Sequence, residues 1–414
     1  MNVIEFITSL NIKNSNENVN NYFYELKKTL NQNPYHLNIN WDGKLFTLTS
    51  NKKRSDFSND ALNNCNGIIL EAPEFDSCVP QLIAYSFPVI SDYNNAYEEN
   101  VKNNWDKYDV ESMIDGAIIR LYYYEGKWCL STIKKIDANR TSWEGKDSFQ
   151  TLFNEAAANC GLDYTVLNKE YCYTFVLCHP NNHMIVSYDT KMIYHVNTTQ
   201  VKEDNIIEYV NHDIGIKQCN RYENLTFEQF NEIINKELDK PITVNQTIGL
   251  ILTNKETGAK IKVDTRCYKE ARDLKGNVPN IKYRVIRLLL EEKFNLDSER
   301  IIKFCQYYPQ YKKDVDHVNE RVNKLTTRLF GIYKSNGYEI PMNHNDLMEF
   351  HFITELHFKF LETNHRSNFN VFNEQVKQLS QFRLASLLKI PFSYNHGHNN
   401  RNSNNFEFNK FIHK

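Results

Sequence analysis

Met113-Ile114-Asp115-Gly116 leads into Ala117-Ile118-Ile119-Arg120-Leu121-Tyr122-Tyr123-Tyr124, a run rich in β-branched and aromatic residues, and Glu125-Gly126 then turns it back into residues 128–133. Such a run, broken by a Glu-Gly turn, is a β-hairpin. Working outward, Gly67-Ile68-Ile69-Leu70 reads as a further strand and residues 149–160 read as a helix stopped by Gly161. Residues 173–177 and 184–188 are expected to form a strand pair around His179-Pro180-Asn181-Asn182. Upstream, residues 1 to about 60 combine a polar helix over 19–30 with a short strand at Leu45-Phe46-Thr47-Leu48. The region from about 62 to 283 is therefore mixed α/β and dominated by antiparallel sheet.

After Pro279 the apolar residues recur at helical spacing, over 284–294, 298–307, 311–333, 346–361 and 369–388. The expected class is α+β. A sheet domain over 1–283 precedes an all-helical domain over 284–390, and an Asn- and His-rich tail over 391–414 is expected to lack regular structure.

The chain of 414 residues has a formal net charge of -2, so any nucleic-acid contact requires a local cluster of cations. Its nine cysteines are scattered without a CxxC pair, which reads as reduced intracellular thiols and no zinc site. The first ten residues lack a cationic segment before an apolar one, and no window approaches eighteen consecutive apolar residues. The expectation is a cytoplasmic protein that does not enter a membrane.

In Ala259-Lys260-Ile261-Lys262-Val263 the alternation of a strand puts both lysines on one face, where they could hold a polyphosphate. Alone, a Lys-x-Lys pair is more often a solvated face.

The order of these segments resembles the phage- and virus-type RNA ligase 1 family of covalent nucleotidyltransferases. That family carries Lys-x-Asp-Gly, a Phe-Glu-Leu-like strand before Pro-x-Asn-Arg, a Glu-Gly strand and a Lys-x-Lys strand. Here the series is Met113-Ile114-Asp115-Gly116, then Phe175-Val176-Leu177-Cys178-His179-Pro180-Asn181-Asn182-His183, then Ile248-Gly249, then Lys260-Ile261-Lys262. Asn64-Cys65-Asn66-Gly67-Ile68-Ile69 resembles the family's Cys-Arg-Gly-Ile segment, and Ala84-Tyr85-Ser86-Phe87-Pro88 its approach to the nucleotide. Residues 268–284 resemble its exit into the helical domain. The resemblance covers roughly 60–390, and implies the ligase and capping-enzyme type of nucleotidyltransferase fold and a source in a large DNA virus.

The departures carry as much meaning. The family lysine attacks the α-phosphate of ATP, whereas Met113 offers a thioether with no nucleophilic nitrogen. Val176 and Ile248 stand where family carboxylates help organise metal and nucleotide, and neither gives an oxygen to a hard cation. Asn66 and His183 replace two arginines. A single engineered change at Met113 would leave Asn66, Val176 and Ile248 unexplained, so natural loss is the preferred account. Each lost electrostatic contact at a transition state typically costs about 3 kcal/mol.

The resemblance thus implies an inactive ligase relative that binds RNA, capped or modified at its 5′ end, or an ATP- or GTP-like nucleotide with Mg, through Asp115, Gly116, Lys260 and Lys262. It would serve RNA processing or translation, within a viral protein complex, in the host cytoplasm or viral factory. Two alternatives stand beside it: an active ATP-dependent RNA ligase carrying Met113, and a protein-interaction scaffold. His179 and His183 lack a third metal-ligand partner in sequence, and His396-Gly397-His398 reads as compositional accident. Tyr122 and Tyr124 could stack on a base if they line a cleft. Phe350, Ile353, Leu356 and Phe360 form an ordinary packing stripe, while Lys312, Lys313, Arg321, Lys324 and Arg328 read first as a solvated helical face.

Overall fold

The computed structural model describes residues 2–15, 18–143, 147–202, 205–236, 247–336, 347–363 and 368–392. Most of the tail, with His396, Gly397 and His398, lies outside them.

Three sheets make up the first two thirds of the chain. The first joins β1 (Leu37–Asp42), β2 (Leu45–Ser50), β3 (Asn66–Glu71) and β4 (Gln81–Ala84) in sequence order, all antiparallel. α1 (Val3–Ser9), α2 (Val19–Leu30) and α3 (Asp60–Asn64) cover its outer face, where Phe23, Leu26, Phe46 and Leu48 are buried together.

The second sheet contains the hairpin of β7 (Ala117–Tyr124) and β8 (Lys127–Thr132). Its turn residues Glu125 and Gly126 both have positive φ, 47° and 81°, as a two-residue turn that follows the strand twist requires. The sheet runs β11-β10-β9-β7-β8, with β9 (Tyr171–Cys178), β10 (Met192–Val201) and β11 (Ile207–Val210). α5 (Phe149–Asn159) lays Leu152, Phe153 and Ala156 against Ile119, Phe175 and Leu177 on one face of it. The opposite face meets the first sheet through Tyr122 and Cys172, packed on Leu45, Ile69 and Ala84. Both faces of β9 are therefore buried.

The third sheet runs β5-β13-β12-β6, from β5 (Ser91–Asp92), β6 (Tyr108–Ser112), β12 (Gly249–Asn254) and β13 (Lys260–Asp264). α4 (Asn95–Asn103) and α6 (Phe227–Asn235) complete its core through Val101, Phe227 and Phe230.

One expectation fails here. β9 pairs with β10, and residues 184–188 form no strand. The backbone N–H groups of Ile185 and Val186 donate instead to the Asp115 carboxylate, at 2.8 and 2.7 Å, and so are not available to a ladder.

Among the described residues seven helices follow: α7 (Arg266–Lys275), α8 (Ile281–Glu291), α9 (Glu299–Tyr307), α10 (Lys312–Asn336), α11 (Leu347–Thr363), α12 (Phe369–Lys377) and α13 (Gln381–Leu387). Thr265, Asn280, Ser298, Asn368 and Ser380 cap the N-termini of α7, α8, α9, α12 and α13 with side-chain oxygens. The stripe of Ile353, Leu356 and Phe360 packs inward, as its spacing predicts. The hydrophobic cluster of these helices does not stop at the sheets. It continues from Phe304, Leu288 and Ile286 through Tyr268 to Met113, Val176 and Ile248.

Candidate functional site

β6 ends at Ser112, and the chain crosses to the second sheet through Met113-Ile114-Asp115-Gly116. The Met113 backbone N–H donates to the Gly249 carbonyl at 2.9 Å, which fixes the crossing beside the start of β12. Its side chain is 9% exposed and lies across Gly249, whose Cβ position would be 3.1 Å from the Met113 methyl carbon and 3.2 Å from its sulfur. Val176, on β9, places its Cγ1 2.6 Å from where a Gly116 side chain would begin. Ile248 is buried, and its carbonyl accepts the Thr265 hydroxyl at 2.8 Å. The three positions assigned by resemblance to a nucleophile and two carboxylates thus share one apolar cluster.

Asp115 is buried beside this cluster, and its carboxylate accepts three hydrogen bonds. One carboxylate oxygen accepts from Ile185 and Val186 and the other accepts the Tyr268 hydroxyl at 2.8 Å; its main-chain carbonyl takes the Tyr188 hydroxyl at 2.6 Å. Burial and the neighbouring Asp115 charge push the Tyr268 hydroxyl pKa far up, so it stays a donor. From the helical side, the Lys275 ammonium donates to the His183 and Met184 carbonyls, and Gln310 reaches Ser187 at 3.3 Å. The segment after Pro180 is therefore held between sheet and helices. Gly116 serves close packing, since a Cβ there would lie 2.5 Å from the Leu177 carbonyl oxygen. These residues do not fit a divalent cation and its nucleotide. The apolar side chains offer no oxygen, and the Asp115 carboxylate already accepts three hydrogen bonds in the interior.

Lys260 and Lys262 share one face of β13, opposite Thr253 and Ile251 of β12. Their surroundings differ. The Lys260 ammonium donates to the Thr253 hydroxyl at 2.8 Å, and burial lowers its pKa against the pull of Glu111. Lys262 faces Asp264 at 3.3 Å and Asp92 at 3.6 Å, and lines an open pocket of about 360 Å³ with Lys52, Tyr93, Lys269 and Arg272. Arg272 pairs with Asp264, and Lys52 stands 3.6 Å from Asp92. Four cations thus meet two carboxylates in this pocket. Sequence reasoning singled out Lys262 here and missed Lys52, Lys269 and Arg272. The i, i+3 spacing of the latter two, just after the Lys-x-Lys strand, is the signal that could have found them.

Asn66 donates its side-chain amide to the Phe87 and Pro88 carbonyls, at 3.4 and 3.3 Å, holding the loop above β3. His179 is buried; its Nδ1 accepts from the Asn181 backbone at 3.0 Å and its Nε2 lies 3.2 Å from Glu155, a structural role. Among the described residues no three His, Cys, Asp or Glu side chains gather as metal ligands, and no helix is long and apolar enough to cross a membrane. Tyr122 is buried between the first two sheets, which corrects its reading as a base-stacking candidate, and Arg328 pairs with Glu349 at 2.5 Å.

No protein-family model matches the chain. It is 27% identical over 233 residues to an invertebrate iridescent virus 3 protein named "Immediate-early protein ICP-46 homolog", covering 54% of this chain and 49% of that one. It is also 25% identical over 158 residues to an African swine fever virus protein provisionally named an RNA-ligase, covering 33% of this chain and 34% of that one. The chain thus spans from about a third to half the length of these relatives. Among solved structures, Naegleria gruberi RNA ligase with PPi aligns at a TM-score of 0.31 and 12% identity, over 45% of this chain and 61% of that one. The similarity to viral proteins, one of them named for RNA ligation, agrees with the resemblance read from the sequence.

Proposed function

We propose that this chain is an RNA-ligase-like protein of a large DNA virus that no longer forms a lysyl adenylate, and that binds the phosphates of an RNA 5′ end, capped or modified, beside the filled nucleotide position. Loss of chemistry is supported by Met113, Val176 and Ile248 sharing one apolar cluster. Binding is carried by one observation: Lys52, Lys262, Lys269 and Arg272 outnumber Asp92 and Asp264 around an open pocket. In a chain of net charge -2, such a local surplus is what phosphate recognition requires. The pocket adjoins the expected cleft without coinciding with it, and Lys262 passes from one description to the other.

Two measurements test this reading. Incubation with α-labelled ATP and Mg²⁺ or Mn²⁺ is expected to leave no label on the denatured protein, and a labelled lysine would overturn the loss of chemistry. RNA oligonucleotides with triphosphate or capped 5′ ends are expected to bind in a salt-dependent way. Binding unchanged in Lys262→Ala/Arg272→Ala at low salt would overturn the pocket and favour a protein-interaction scaffold.

A further inference from the structure

Among the described residues, no carboxylate balances a charge buried in the second sheet. Arg120, in the middle of β7, is 0% exposed. Its Nη2 donates to the Thr132 carbonyl at 2.5 Å, while Nε and Nη1 have no hydrogen-bond partner. Burial lowers its pKa to about 10, which leaves it a cation at neutral pH, and the groups acting on it are Cys172 and Tyr122. An unpaired buried cation is among the most costly groups a fold can carry.

Its neighbours are polar and equally unpartnered. Antiparallel register sets Ser131 of β8 and Thr174 of β9 directly opposite Arg120, so the three side chains stand in a row on one face. Both hydroxyls are fully buried and neither has a partner. That face is the one turned to the first sheet, as the packing of Tyr122 and Cys172 on Leu45 and Ile69 shows. On β2, Thr47 shares the face of Leu45, and its buried hydroxyl is unpartnered too. One guanidinium and three hydroxyls thus lie at the contact of two sheets, where water could satisfy the hydroxyls but could not offset the charge.

We propose that this wedge is an anion site, in which Arg120 supplies the charge and Ser131, Thr174 and Thr47 supply hydroxyl donors, and that it takes a small inorganic oxyanion of the phosphate type. The ion joins the two sheets. It is distinct from the Lys262 pocket and does not depend on the RNA-binding reading.

Because all four side chains are buried, the ion is captured as the chain folds. The full chain, refolded from urea in phosphate and exhaustively desalted, is expected to release near-stoichiometric phosphate on denaturation. Arg120→Met is expected to retain roughly tenfold less or lower, because the charge-assisted contacts are gone. Should that variant fail to fold, Ser131→Ala/Thr174→Val keeps the guanidinium, and is expected to retain less phosphate than the parent. Parent protein that releases no phosphate overturns the proposal. So does retention that neither variant lowers.

Discussion

The Tyr268 hydroxyl donates to the Asp115 carboxylate at 2.8 Å, joining the first helix of the helical region to the segment that links two sheets. Since Ile185 and Val186 share the same carboxylate, Asp115→Ala strands three donors in the interior. It is expected to lower unfolding free energy by roughly 3 kcal/mol or more, and Tyr268→Phe by about 1 kcal/mol. Urea titration of both variants and the double variant checks this. Additive effects would show that the two groups are uncoupled.

Met113→Lys alone is expected to restore no adenylylation. The new ammonium would enter the cluster of Val176, Ile248 and Tyr268 with no free carboxylate to meet it, so the thermal midpoint should also fall. Label transfer from ATP, with the midpoint measured in parallel, reads both consequences. Efficient adduct formation would mean that Met113 is the single defect.

Within the basic pocket, Lys262→Ala/Arg272→Ala is expected to reduce the slope of log affinity against log salt by about 1.4 for single-stranded RNA. Lys260→Ala should change it less, because that ammonium is bonded to Thr253 outside the pocket lining. Lys312→Ala/Lys313→Ala serves as the control on the helical region. An equal loss there would place the main contact elsewhere.

His179 gives a pH dependence with a defined sign. Burial lowers its folded pKa, against the opposing pull of Glu155, so the unfolded chain binds the proton more readily. Its contribution is present above the unfolded value of about 6.5, and is lost as pH falls through the folded value. Stability measured by urea titration should therefore decline on acidification from neutrality. In His179→Gln that decline should be shallower, and an identical profile would remove His179 as a cause.

Periodicity made most of the architecture legible. Residues 19–30, 117–124 and the helices over 284–361 follow local patterns that tertiary contacts leave intact, whereas the span expected over 369–388 divides into α12 and α13 at the Ser380 cap. The failure at 184–188 has a physical source: Ile-Val beside Ser-Tyr reads as strand, yet those amides are claimed by Asp115, seventy residues earlier in the chain. The site was legible as an ordered set of positions but not as a volume. Nothing in Met113, Val176 and Ile248 as separate residues says that they close on one another, because that depends on the register of β9 and on Gly249 admitting the methionine. Lys260 and Lys262 could be placed on one strand face from alternation alone. Which of them borders an opening depended on α7, through Lys269 and Arg272.

The apolar cluster that runs from Met113 through Tyr268 to Phe304 also bears on mechanics. A hinge between sheets and helices would have to open water-free surface on both sides at once, so the two regions should resist rotation. Calorimetry of the intact chain should then record one cooperative transition spanning both regions, and limited proteolysis near residues 276–280 should release neither part in folded form.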